Sequence, residues 1–478
     1  MQLISAAGNA EKPASQNQDK ETRQMNKWLP IVLATVLGTG AFAQEAAPAA
    51  QPADVQTQLN ELRQMIKTQQ EQMYKQKTEL DSIRVAKADK SSVPKLPTLS
   101  FGDNVQGLKL TGDLRLRYEM RDLTDDAKDQ RNDRIRSRVR LGAIWQVPSE
   151  NWEIGVGLAT NTAATGDATS TNSTWSENST FEPMAVRFDY AYAKHIWRLG
   201  ETESNIVSLT LGQAKNPYKN AGILWDGDVN PIGVTLQYEN PTFFSEKLGV
   251  FATTGVYQVA SLKDTGIYNQ AQMLAAQTGL TYGTKDDPWR GTLAVGGYAY
   301  SSETLTIAKD NKGAALDSTG TNKEDFKYTI VQVYGDLTRK FSNGLEIGPY
   351  ADAWINLGAD DNGGTTVFGN QQAEGDNAYG YVVGLKGKYK KFNASADYVY
   401  SGAYAGFWPV QDSDFGNGVT SNGHCRDVNG YRLKLGYDLY KNLTASVSYM
   451  MYDANHRDPA ANKPAEGQLW QFDLVYKF

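Results

Sequence analysis

Residues 134–140 read Arg-Ile-Arg-Ser-Arg-Val-Arg, so Arg134, Arg136, Arg138 and Arg140 recur at every second position. Guanidinium groups in such number suit three chemistries: neutralising nucleic-acid phosphates, docking as a basic helix, or lining the wet face of a β-strand. The spacing decides among them. A helix would scatter the four around its circumference, whereas a strand sets all of them on one face and Ile135, Val139 and Leu141 on the other. No nucleic-acid partner is expected, because the formal net charge is −6 and phosphate binding needs an excess of cation. Arg115 and Arg117 repeat the alternation within Leu108–Met120. A second stretch rich in functional side chains, Gly212–Pro231, carries Lys215, Lys219, Trp225, Asp226 and Asp228 among turn-forming Asn-Pro and Asp-Gly pairs. Catalysis is not expected. His195, His424 and His456 have no Gly-x-Ser-x-Gly segment beside them, and the single cysteine, Cys425, cannot form an internal disulfide or a thiolate metal cage. Neither a metal nor a cofactor is implied.

The elements that position these residues are strands. From Leu108 to the last residue a period of two runs through segments at about 108–122, 133–147, 152–161, 185–198, 206–214, 232–240, 248–259, 272–284, 289–302, 326–340, 345–359, 378–390, 392–405, 430–440, 443–455 and 468–478. The connections Pro-Ser-Glu-Asn, Lys-Asp-Asp-Pro, Phe-Ser-Asn-Gly and Lys-Asn are tight, while those at 162–184, 303–325, 360–377, 406–429 and 456–467 are long and polar. Long and short connections alternate, as they must if every strand pairs antiparallel with its sequence neighbour. The predicted fold is all-β, an antiparallel up-and-down barrel of about 16 strands over 108–478.

Upstream of the strands the chain changes character. Lys27, the apolar run Trp28–Ala43 and the small-x-small end Ala41-Phe42-Ala43 predict a secretory signal peptide over 1–43, with translation starting at Met25. An Ala/Pro linker follows at 44–54. Val55, Leu59, Leu62, Ile66, Gln69, Met73, Gln76, Leu80 and Ile83 step by four and three, which predicts a short parallel homo-oligomeric coiled coil over 55–86. A second linker spans 87–107.

Orientation then separates two all-β readings. A soluble sandwich hides its apolar face, whereas a membrane barrel turns that face to lipid and the arginine row to a watery lumen. Export, strand length and aromatics at strand ends (Trp145, Trp152, Trp197, Tyr389, Tyr476 and Phe478) favour the barrel. Lumen-facing cations would then share the wall with Asp113, Glu119, Glu346, Asp352, Asp438 and Asp473, giving a mild anion preference.

The terminal Phe478 after alternating Trp470, Phe472, Leu474 and Tyr476 resembles the signal by which the barrel-assembly machinery recognises outer-membrane barrels. With the segments LTGDLRLRYE and WDGDVNP, the chain resembles Gram-negative outer-membrane porins, close to the putative-porin family. The resemblance implies a homotrimer in outer-membrane lipid, a passive channel for small hydrophilic solutes and ions, and a third long loop folded into the lumen. In that arrangement Asp226 and Asp228 would oppose Arg115, Arg117, Arg136, Arg138 and Arg140 across a constriction. A surface loop with an ordinary acidic turn is the plainer alternative for Gly212–Pro231. A structural alternative for the whole protein is a tether, with the periplasmic coiled coil joining the membrane to the cell wall.

Overall fold

The structure, a computed structural model, describes residues 107–124, 129–147, 150–161, 168–177, 179–200, 203–260, 271–300, 328–359, 377–419, 424–456 and 466–478, with Gln64, Lys67, Thr68, Glu71, Gln72 and Lys75. Those six are helical and exposed. The signal peptide, the first linker, the heptad seam and all of the second linker but Gly107 lie outside the described residues.

The strands are β1 (Leu108–Thr124), β2 (Gln130–Val147), β3 (Trp152–Asn161), β4 (Ser173–Thr174), β5 (Ala185–Leu199), β6 (Asn205–Gln213), β7 (Ile232–Ser245), β8 (Leu248–Ala260), β9 (Ala271–Tyr282), β10 (Trp289–Tyr300), β11 (Thr329–Lys340), β12 (Leu345–Asn356), β13 (Tyr379–Tyr389), β14 (Phe392–Ser401), β15 (Val428–Tyr440), β16 (Leu443–Ala454) and β17 (Glu466–Lys477). The two-residue β4 pairs only with β2, beside a ring in which β3 continues directly to β5. The remaining strands form a closed antiparallel barrel of 16 strands. Closure is made by β1 against β17, with Asp113 opposite Lys477. At that seam Gly112 N–H donates to the Phe478 carbonyl at 3.0 Å and Phe478 N–H returns to Gly112 O at 3.1 Å. Thus the last residue is itself part of the closing ladder, leaving no free edge there.

Each segment of period two in the sequence forms a strand. The β7 strand differs in length, running on to Ser245 where the pattern predicts an end near 240. Its ladder is irregular between Asn240 and Ser245, so Pro241, which has no N–H to give, falls where no regular pairing is required. A second irregularity lies between Gly157 and Leu158, which pair with Tyr190 and Phe188 and leave Asp189 as the extra residue. This bulge turns the Asp189 carboxylate into the barrel, where it is 3% exposed.

Most of the large apolar side chains of the strands face out, while a smaller set that includes Ile330, Val382 and Val399 is buried on the inward face. Leu110 is 59% exposed, Phe188 65%, Val383 57% and Leu435 54%, whereas the polar Gln332 and Asp352 are 0% exposed. A soluble sandwich would show the reverse. Aromatic rings gather on the outer wall towards both ends. On the short-turn side His195 lies 4.7 Å from Trp152 and 4.4 Å from Trp197 by ring centroid. On the side of the long connections Tyr379, Tyr381, Tyr398, Tyr400 and Tyr431 stack or meet edge-on at 5.0–6.4 Å. Amphipathic rings at two levels suit two headgroup layers.

Candidate functional site

The interior is crossed by the connection 214–231 between β6 and β7. Just before it, within β6, Gly212 has a φ of +111° that is open to glycine, and an added Cβ there would lie 2.4 Å from the Ala191 carbonyl. The Tyr218 hydroxyl is 3.0 Å from that of Tyr257 on β8 and donates to Ala275 O on β9 at 3.3 Å. Lys219 N–H donates to Gln277 on β9 at 2.8 Å, and its carbonyl accepts from Gln332 on β11 at 3.2 Å. Ala221 N–H donates to Asp352 on β12 at 2.8 Å, while its carbonyl accepts from Arg432 on β15 at 3.3 Å. Finally Asp228 lies 3.4 Å from Arg140 on β2. These partners are inward-facing residues of strands spread around the ring, so the segment lies inside the barrel.

A second inward segment, 402–419 after β14, clasps the first. Asp226 N–H donates to Val410 O at 2.7 Å and Asp412 N–H to Ile223 O at 3.1 Å, a short two-bond bridge. Around it Ile223, Leu224 and Trp225 bury themselves in one cluster with Phe407, Trp408 and Phe415. The rings of Tyr298 and Tyr300 on β10 complete the packing, 5.4 Å from Trp225 and 4.6 Å from Phe407. Each such side chain contributes roughly 1.5–3 kcal/mol when fully withdrawn from water. The barrel therefore has an apolar core inside its lumen, made by the loops together with inward strand residues such as Tyr298, Ile330 and Val382. Gly418, at φ +100°, passes so close to Leu123 that an added Cβ would sit 2.7 Å from it. A third piece, Thr169–Thr174, joins in: Ser413 Oγ donates to Thr169 O at 3.2 Å, and Thr171 Oγ1 to Asp228 at 2.9 Å.

The arginine row lies against these loops, on the inward faces of β1 and β2. Arg117 binds Asp473 through Nε at 2.7 Å and a terminal nitrogen at 2.9 Å, and also meets Asp414 at 3.3 Å. Glu119, 1% exposed, lies 2.5 Å from Arg134, 3.5 Å from Arg136 and 3.8 Å from Arg117. Arg138 and Arg140 share the two oxygens of Asp113 at 2.8 and 2.7 Å. Arg115 differs, since its hydrogen bond goes to the Asn172 amide oxygen rather than to a carboxylate. The neutralising carboxylates thus come chiefly from the wall and from 402–419. Of the two acids that the sequence sets against the row, Asp228 reaches Arg140, while Asp226 accepts from Asp228 N–H at 2.7 Å and Ser413 N–H at 3.4 Å. Lys215 turns to Asp189 at 2.8 Å, over the Tyr190 ring, and Lys219 lies 6.0 Å from the Phe251 ring centre. Sequence reading left out Asp189, Asp412, Asp414 and the inward course of 402–419. The signal for that course was Phe407-Trp408-Pro409-Val410 and Phe415, apolar residues in a connection that would otherwise face water.

Where the two segments clasp, the buried carboxyl group of Asp226 lies beside that of half-buried Asp412. Burial raises both, reinforced for Asp226 by Asp412 and Asp228, and for Asp412 by Asp414, which brings Asp412 to about 6. For Asp414, burial also pulls upward, but Arg117 and Arg136 hold it down at about 2. A carboxyl raised by docking stabilises the docked form below its free value and loses that contribution as pH rises through the docked value. Between about pH 4 and 7 the clasp should therefore loosen as pH rises. Current noise in planar bilayers should increase over that interval, and Asp412→Asn should flatten the dependence. An unchanged dependence in that variant would place the titrating group elsewhere.

Residues 124–405, more than half of the chain, match the family model described as "Putative porin". The chain belongs to this porin family. Among solved structures, the porin is similar to Salmonella typhi OmpF in complex with daunomycin, at 12% identity and a TM-score of 0.45, covering 78% of this chain and 97% of that one. Pseudomonas putida OprB is similar at 11% identity and a TM-score of 0.46, covering 78% and 94%. A Rhodopseudomonas blastica porin triple mutant is similar at 8% identity and a TM-score of 0.38, covering 78% and 100%. None of the curated proteins matches this porin.

Proposed function

We propose that this outer-membrane porin is a passive, water-filled channel for small hydrophilic solutes and ions, narrowed by the inward segment 214–231. Lys215, Lys219, Trp225, Asp226 and Asp228 belong to the constriction, and Arg115, Arg117, Arg136, Arg138 and Arg140 line the passage. The observation carrying this reading is the path of 214–231, bonded to Asp352 on one wall and Arg140 on another. Fixed charges of both signs around a narrow aqueous path order water and filter solutes by size and charge. Because most of the arginines have acidic partners, only a mild anion preference is expected.

Export by a signal peptide, recognition of Phe478 by the assembly machinery, and a homotrimer held by a periplasmic coiled coil at 55–86 complete the proposal. Purified protein in planar bilayers should give stepwise conductance in groups of three, with a reversal potential displaced slightly towards anions. Correctly folded protein that inserts and passes no current would rule the channel out.

A further inference from the structure

We infer that the inner wall formed by β2, β3 and β5 carries a seat for a pyranose sugar, built on the ring of Tyr192. The inference rests on the channel reading and names a solute class for it. Tyr190 and Tyr192 both turn inward from β5, with ring centres 5.9 Å apart. The wall behind them is glycine. Tyr192 stands opposite Gly155 on β3, and Tyr190 opposite Gly157, which in turn faces Gly142 on β2. A Cβ added at Gly155 would run into the Tyr192 ring, and one at Gly142 or Gly157 into that of Tyr190. With no side chains behind them, both rings settle against the backbone and remain half-buried, open on the lumen side. On β6 the residue opposite Tyr192 is again a glycine, Gly212, so the wall offers no side chain there to cover the ring.

Charged groups of both signs frame the two rings. The Lys215 ammonium, bound to Asp189 at 2.8 Å, stands 5.4 Å from the centre of the Tyr190 ring. That cation takes Tyr190 and leaves Tyr192 as the open ring. The Tyr192 hydroxyl donates to Glu153 at 2.8 Å, which fixes the ring in place. Glu153 also accepts from Gln146 at 3.3 Å and stands opposite Lys194 in the β3–β5 register.

A solute that uses this arrangement needs an apolar face for the Tyr192 ring and hydroxyls around its edge. The C–H face of a pyranose chair meets the ring, and its equatorial hydroxyls donate to Glu153 and accept from Lys194 and Lys215. A simple anion meets Glu153, and a simple cation meets the two lysines, so neither gains what a neutral ring gains here. Because Lys215 belongs to the inward strap, a sugar resting on Tyr192 waits at the constriction itself.

The test uses the full-length protein in planar bilayers, with D-glucose or the open-chain polyol sorbitol added to a potassium chloride solution and the ion current followed. Glucose should reduce the current saturably, while sorbitol, of nearly the same size but without a ring face, should lower it only in proportion to viscosity. Tyr192→Leu should raise the half-blocking concentration of glucose about 3–10-fold, the worth of one aromatic contact. Tyr192→Phe keeps the ring and should stay within about twofold of wild type. Normal conductance with no saturable glucose block, sorbitol matching glucose, or Tyr192→Leu behaving like Tyr192→Phe overturns the seat. The comparison of glucose with sorbitol on wild-type protein decides the matter even where Tyr192→Leu fails to insert. Absence of conductance in the wild-type protein instead overturns the channel reading on which the seat rests.

Discussion

Excising residues 215–230 and joining Ala214 to Pro231 through Asn-Gly should raise single-channel conductance several-fold while leaving the barrel closed. The β6–β7 ladder runs up to Gln213 opposite Ile232, and Ala214 N–H already donates to Pro231 O at 3.2 Å. A two-residue turn therefore closes the hairpin without disturbing the wall. What disappears is the strap that bonds Gln277, Gln332, Asp352 and Arg432, and with it Ile223 and Asp226, the partners of 402–419. Those polar groups face lumen water afterwards, so their loss of partners is cushioned. Conductance and the size limit for neutral sugars measure the result. Unchanged values in a folded variant would mean that 402–419 alone sets the narrowest point.

Glu119→Gln should produce the largest loss of stability among single lumen substitutions. The carboxylate is enclosed by Arg117, Arg134 and Arg136 and accepts from Gln471 at 3.2 Å. Arg136 has no other acid among its ion pairs within the described residues. A glutamine keeps the shape but removes the charge, leaving buried Arg136 without its paired carboxylate, which costs up to about 3–5 kcal/mol. Asp473→Asn should cost less, because Arg117 retains Asp414 and Glu119. Urea unfolding in detergent, followed by tryptophan fluorescence and circular dichroism, measures both. A Glu119→Gln protein as stable as wild type would show that lumen water screens the cluster.

The wall of this molecule was legible because alternation is a local signal: Leu114, Leu116 and Ile135 against Arg115, Arg117 and Arg136 require no knowledge of distant residues. The Asp189 bulge was not legible, since it shifts only one pairing and leaves composition untouched. Ion-pair partners were legible as a set but not as pairs. Asp473 and Arg117 are joined by barrel closure, a contact between the two ends of the strand order that no spacing encodes. The inward course of 214–231 entered through family resemblance. That of 402–419 depends on tertiary burial of Phe407, Trp408 and Phe415, which a polar-loop reading of 406–429 passed over.

Accessibility scanning along β13, with Cys425 replaced by serine, tests most directly whether apolar side chains face lipid and charged ones face water. Single spin labels at Val383, Leu385, Lys386 and Lys388 would be placed in the reconstituted protein. Val383 and Leu385 point outward, while Lys386 reaches Asp336 at 2.9 Å inside the barrel. Labels at Val383 and Leu385 should collide preferentially with oxygen dissolved in the bilayer, and those at Lys386 and Lys388 with a water-soluble nickel chelate. The reverse assignment, or four labels behaving alike, would contradict the membrane barrel and the channel built on it.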